Sequence, residues 1–161
     1  MTEDAWIGLG ANLGDRHATL ESAIDALRGL PHTRLIARSR TYRSPAWQAN
    51  GPEYLNAVAC LSTSLTPHDL LHALQNIETR FGRLRPYPGA PRTLDLDLLL
   101  MRDRVLHTPE LTLPHPRLHE RAFVLRPLAE LAPDLPIPGR GTVAACLPPV
   151  ALQDCTVWCR P

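Results

Sequence analysis

The chain has 161 residues, 44% of them hydrophobic, and a formal net charge of +1, which is one domain's length with enough apolar content to bury a core without staples. A near-neutral balance excludes a broad nucleic-acid-binding face. No apolar run reaches the ~20 residues of a membrane span and no basic-then-apolar leader opens the chain, so a cytoplasmic protein with no membrane partner is expected. All the basic residues are Arg and none is Lys, which excludes Walker-type, protein-kinase-type and Schiff-base chemistry and leaves arginine forks to bind any phosphate.

A first strand is predicted over 5–10, followed by a turn at 11–15 that leads into a helix capped at Asp15. Leu20, Ala23, Ile24 and Leu27 give that helix one apolar face, and Gly29 stops it. The glycines Gly8, Gly10 and Gly14 do not have the spacing of a dinucleotide fingerprint. A second strand is expected over 34–42, with arginines along one side that suit an edge position. The aperiodic stretch 43–52 carries two prolines and Trp47, and reads either as a functional loop or as a plain hairpin connection. A third strand over 54–61 sets Asn56 opposite Leu55, Ala57 and Ala59, and an amide inside a strand requires partners. Thr66-Pro67-His68-Asp69 is a helix start, with a hydroxyl cap, proline in the first turn and an acid three residues on. Leu70, Leu71, Leu74, Ile77 and Phe81 form its buried stripe, with Gln75 and Glu78 beside it.

The stretch that follows carries the chemistry. Residues 80–89 are rich in arginine and punctuated by proline, and Pro91-Arg92-Thr93 leads into Leu94-Asp95-Leu96-Asp97-Leu98. A period of two is the period of a strand, so Asp95 and Asp97 share one face roughly 6.6 Å apart while the leucines share the other. Two hard oxygen ligands with water elsewhere suit Mg²⁺, which usually shares its shell with substrate phosphates. A half-buried strand with a solvated acidic face is the alternative, but it has no use for an arginine loop at its entrance. A tight turn at 101–104 and a short return strand at 105–106 are expected next. His115, Arg121 and Phe123 then fall just before and inside a helix that runs to Leu131, and a helix start suits anions. The proline-rich tail from Pro133 allows one short helix after Thr142 and carries no legible chemistry. Four cysteines without Cys-x-x-Cys spacing are expected to be reduced thiols.

The order strand, helix, strand, strand, helix, strand predicts an α+β fold: a ferredoxin-like βαββαβ core, an antiparallel sheet with helices packed on it, and a C-terminal extension, all in a single domain over 1–161. Gly89-Ala90-Pro91-Arg92-Thr93-Leu94-Asp95-Leu96-Asp97, with Tyr54-Leu55-Asn56, the Glu78 and Gly82-Arg83-Leu84-Arg85 run, and Pro114-His115 followed by Arg121-Ala122-Phe123, resembles the 6-hydroxymethyl-7,8-dihydropterin pyrophosphokinase family over residues 5–133. The resemblance implies transfer of the β,γ-diphosphate of ATP to the pterin hydroxymethyl group, with release of AMP, in folate biosynthesis. It implies Asp95 and Asp97 as ligands of two Mg²⁺ ions and Arg83 and Arg92 as catalytic phosphate clamps. It implies Gln75, Glu78, Arg85, Leu98, Thr112, His115 and Arg121 as further ATP contacts, and Ser44, Pro45, Trp47, Tyr54, Asn56 and Phe123 around the pterin. A monomer acting on these two small molecules, without nucleic acid, is expected, and the loop 83–92 is expected to close over ATP. Two departures stand out: Tyr87-Pro88-Gly89-Ala90 replaces the aromatic that many relatives carry before Gly-Pro-Arg, and Glu110 sits where some carry a base. A Mg²⁺-dependent phosphohydrolase or nuclease would also use the Asp pair but would leave Trp47, Tyr54, Asn56 and Phe123 idle. A noncatalytic ligand-binding domain would have little use for paired metal carboxylates facing arginines.

Overall fold

The interior strand β1 (Glu3–Ala11) presents alternate residues to two faces of the sheet. Ala5, Ile7, Leu9 and Ala11 face one side, Trp6, Gly8 and Gly10 the other. The computed structural model describes residues 1–45, 52–82 and 93–159. After β1 come α1 (Arg16–Arg28), β2 (Thr33–Arg38), β3 (Tyr42–Ser44), β4 (Tyr54–Thr63), α2 (Pro67–Arg80), β5 (Asp95–Met101), β6 (Leu106–His107), β7 (Thr112–Leu113), α3 (Ala122–Leu131), β8 (Pro136–Ile137), β9 (Gly141–Thr142) and β10 (Thr156–Val157). The main sheet runs β10-β3-β4-β1-β5, with β2 paired to the other end of β4. Every pairing is antiparallel, so β1-α1-β2-β4-α2-β5 is the expected ferredoxin-like core.

Two apolar layers sandwich the sheet. Leu20, Ile24, Leu70, Leu74 and Ile77 of α1 and α2 meet Ile7, Leu9, Leu55, Leu61, Leu96 and Leu98 on one face. Val124, Leu125 and Leu128 of α3 meet Trp6, Val58, Cys60, Leu99 and Leu100 on the other. The helix caps are the expected ones: Asp15 accepts from the Ala18 N–H at 3.1 Å and Thr66 from the Asp69 N–H at 3.2 Å. Leu71 and Phe81 are half-buried beside the first layer rather than fully inside it.

The departures from the sequence-based expectation have local causes. The strand expected over 34–42 is two strands, because the Ser39 N–H donates to Val58 O at 2.8 Å while its hydroxyl accepts from the Val58 N–H at 2.9 Å and interrupts the ladder. β2 itself bulges at Ile36, between the Leu35 and Ala37 pairings. β6 does not return along β5 but forms a separate hairpin with β7, and the Arg102 N–H is taken by Asp4 O at 3.0 Å. In the tail, the turns Ala144–Cys146 and Pro148–Val150 are both 3₁₀, and β10 adds an unforeseen strand to the main sheet beside β3. All four cysteines are free thiols, and burial pushes Cys60 up to about 12 and Cys155 up to about 11.

Candidate active site

On the α3 side of the sheet, two rows of residues cross β1 at its glycines. Asn56, Gly10 and Asp95 are register neighbours in one row, and Val58, Gly8 and Asp97 in the other. The missing side chains leave a trough between Asn56 and the carboxylates. A Cβ at Gly10 would lie 3.5 Å from Asn56 Oδ1 and 3.8 Å from Tyr54 Cδ1, ordinary contacts, so anything larger than a methyl group would fill the trough itself. The trough is the floor of a cleft of about 500 Å³, a volume suited to small molecules.

The walls come from β3, β4, α3 and the tail. Asn56 is buried, and its amide donates to Ser44 Oγ at 2.7 Å, so β3 fixes the amide's orientation. Pro45 and Tyr54 continue that wall. Opposite them stand Arg121 and Phe123, with the guanidinium carbon of Arg121 5.5 Å from the centre of the Phe123 ring, within cation–π range.

Two anchors set the strand that carries the carboxylates. Glu78 of α2 is buried and accepts from the Leu96 N–H at 2.9 Å, pinning α2 to β5 between Asp95 and Asp97. At Leu99 an extra residue is inserted against the Trp6 and Ile7 pairings. This bulge turns both Leu99 and Leu100 toward α3, and Leu99 O accepts the His115 N–H at 2.8 Å. His115 Nδ1 accepts from the Arg117 N–H at 3.2 Å, which leaves the ring proton on Nε2. Burial holds the imidazole below its ordinary value against the pull of Asp97, with Arg121 and Arg117 pushing the same way as burial.

Residues 6–133 match the model of the 7,8-dihydro-6-hydroxymethylpterin-pyrophosphokinase (HPPK) family. The chain belongs to this family. It is 48% identical over 139 residues to the 2-amino-4-hydroxy-6-hydroxymethyldihydropteridine pyrophosphokinase of Pseudomonas aeruginosa, covering 86% of each chain. It is 44% identical over 136 residues to the Methylorubrum extorquens protein of the same name, covering 84% of this chain and 86% of that one. Among solved structures it resembles wild-type HPPK-DHPS of Plasmodium falciparum with pteroate, with a TM-score of 0.71 at 13% identity, over 91% of this chain and 42% of that one. The chain thus spans less than half of that longer protein, and the likeness bears on the fold.

Within this HPPK chain, the cleft brings together Ser44, Pro45, Tyr54, Asn56, Asp95, Asp97, Arg121 and Phe123. Other expected site residues lie elsewhere. Gln75 is exposed on α2, Leu98 is buried in the opposite layer, and Thr112 sits on β7. Glu110 is exposed, its carboxylate 3.4 Å from His72. Trp47, Arg83, Arg85 and Arg92, the loop expected to close over ATP and the Tyr87-Pro88-Gly89-Ala90 departure lie outside the described residues. Sequence reasoning missed Gly8, Gly10, Gln153 and Asp154, all of which line the cleft. The glycines were legible in principle: two glycines at period two on one face of a strand withhold side chains from that face. Gln153 and Asp154 gave no sequence signal.

Proposed function

We propose that the cleft over Gly8 and Gly10 is where this chain carries out the HPPK reaction, with the pterin at the Asn56 end and the ATP phosphates at the Asp95 and Asp97 end. As a member of its family the chain is an ATP-dependent diphosphotransferase of folate biosynthesis. It moves the β,γ-diphosphate of ATP to the hydroxymethyl group of 6-hydroxymethyl-7,8-dihydropterin and releases AMP.

The observation that carries the site assignment is the meeting, in one cleft, of paired carboxylates with a hydrogen-bonding amide and two aromatic side chains. A flat heterocycle with polar edges needs ring faces and an oriented amide, which Tyr54, Phe123 and the Ser44-held Asn56 supply. Diphosphate transfer asks a protein chiefly for positioning and for stabilisation of phosphate charge. Asp95 and Asp97 would hold two Mg²⁺ ions. The donor set fits them: the two carboxylates stand against Gly10 and Gly8 on one face of β5 and both line the cleft, and Mg²⁺ is usually bound by one or two carboxylates together with water and substrate phosphates. The ions would neutralise phosphate charge and lower the pKa of the attacking hydroxyl. Arg121 adds a fixed positive charge at the cleft wall, and Arg83 and Arg92 act as clamps on the transferred group, with Gln75, Arg85, Thr112 and His115 as further ATP contacts and Trp47 beside the pterin, while the buried Glu78 and Leu98 hold β5 in place behind the carboxylates. The whole chain acts as one pyrophosphokinase domain, as a cytoplasmic monomer without nucleic-acid or membrane partners. No helix among the described residues is long and apolar enough to cross a membrane.

One assay tests the reading. The chain with ATP, Mg²⁺ and the pterin should yield AMP and pterin diphosphate in equal amounts. Formation of ADP, or of phosphate without pterin diphosphate, points to a kinase or phosphohydrolase instead.

A further inference from the structure

We propose that the C-terminal tail, beyond residues 6–133 that match the family model, shapes the active-site cleft, with Gln153 as a positioning residue for Arg121 and Phe123. The inference rests on the assignment of the cleft given above. It starts from a defect in α3. The residue at its N-cap is Arg121, in an extended conformation with no side-chain cap of its own, where Ser, Thr, Asp or Asn would ordinarily satisfy one of the unpaired first-turn N–H groups.

Gln153 repairs that defect from the tail. Its Oε1 accepts from the Ala122 N–H at 2.9 Å, and its Nε2 donates to Glu120 O at 2.8 Å. One side-chain amide therefore grips the backbone on both sides of Arg121, one residue short of Phe123. Both side chains line the cleft, as does Gln153. The amide offers both the donor and the acceptor that this grip uses: at neutral pH a carboxylate of the same length lacks the donor, and a thioether has no donor and only a weak acceptor.

The tail is itself anchored to the opposite wall. Both carboxylate oxygens of Asp154 lie 3.4 Å from the Arg43 guanidinium, which also donates to Thr156 Oγ1 at 2.9 Å and to Glu53 at 2.6 Å. Arg43 immediately precedes Ser44, the hydroxyl that orients Asn56. Cys155, buried next to Asp154, plugs the tail into the α3 layer. Residues 153–154 thus brace the α3 wall against the β3 wall, and the grip on Glu120 and Ala122 sets where Arg121 and Phe123 stand. A positioning error of about 1 Å at such groups is enough to cost much of their effect.

The test uses the full chain carrying Gln153→Met, which keeps length and volume and loses both hydrogen bonds, and Gln153→Glu, which keeps the acceptor alone. Pterin Kd is measured by fluorescence titration, KM for each substrate by AMP release, and Tm by calorimetry. Gln153→Met should raise pterin Kd and KM at least about fivefold with kcat reduced less than the KM rises, and Gln153→Glu should fall between it and wild type. Ile137→Ala, a cavity in the same apolar layer away from the cleft, should lower Tm more than either while leaving both KM values within about twofold. The inference is overturned if Gln153→Met binds the pterin as wild type does, or if Ile137→Ala raises Kd as much, since the effect is then loss of stability alone. Should Gln153→Met fail to fold, wild-type affinity in Gln153→Glu overturns it equally. A wild-type chain that binds no pterin and forms no AMP sinks the cleft assignment instead, and that result is read before any variant is compared.

Discussion

The α3 side of the sheet has two halves that share their strands and do opposite things. In one half Trp6, Val58, Cys60, Leu99 and Leu100 fill the space beneath α3. In the other, two to four residues along the same strands, Gly8 and Gly10 leave the space open beside Asn56, Asp95 and Asp97. The difference is side-chain volume withheld from one strand. A binding site here needs no special backbone, only a face on which the core has been left unfilled and the neighbours made polar. Stability and function should therefore separate along a single strand.

The sharpest test of that separation is at the carboxylates. Asp97→Ala or Asp95→Ala should cost at least about 10³ in kcat, roughly 4 kcal/mol, with Tm unchanged. Initial rates at saturating Mg²⁺ check it, and either variant keeping more than a tenth of wild-type turnover would remove that residue from the metal site. Filling the trough should come next: Gly10→Val is expected to weaken pterin binding about 100-fold, close to 2.7 kcal/mol, while Tm holds or rises because a β-branched residue replaces glycine in a strand. Calorimetric titration beside a thermal melt decides, and a valine variant with wild-type affinity would mean that the ligand does not lie over β1. Asn56→Ala removes the oriented amide and should cost pterin affinity about 1–3 kcal/mol, with ATP affinity unchanged; an equal loss for ATP would put both substrates at one end of the cleft. Two residues further along β4, Val58→Ala should do the reverse, losing about 2 kcal/mol of stability in urea at unchanged pterin Kd. A substantial Kd change there would show that the two halves are coupled after all.

Elements specified by local signals were legible in the sequence. The Asp15 and Thr66 caps, the Gly29 stop, the apolar stripes of α1 and α2 and the alternation of Leu94 to Leu98 each depend on residues within a few positions of one another, and each is found where expected except that Leu71 and Phe81 are half-buried. Asn56 was legible as an amide in need of a partner, and Ser44 is that partner. What escaped depends on residues far apart in sequence. The break between β2 and β3 is a bargain between Ser39 and Val58, and the bulges at Ile36 and Leu99 are set by the partner strand. β6 finds β7 rather than β5. Glu78 stood in the sequence as a polar residue beside the apolar stripe of α2, and its burial against the Leu96 N–H depends on a strand 18 positions on. The cleft residues of the tail are the extreme case, because nothing near Gln153 in sequence indicates that it meets the start of a helix.

That helix start carries a consequence for the order in which the molecule assembles. An ordinary cap travels with its helix and can form as soon as the first turn does. The cap of α3 lies 31 positions downstream, and closing a loop of that length costs about 3 kcal/mol of chain entropy before the contact returns anything. The floor of the cleft, made by the pairing of β1 with β4 and β5, needs none of those later residues. The chain can therefore hold a glycine trough and its carboxylates in register while the wall bearing Arg121 and Phe123 is still unfinished, so the ability to bind should be the last property acquired as it folds.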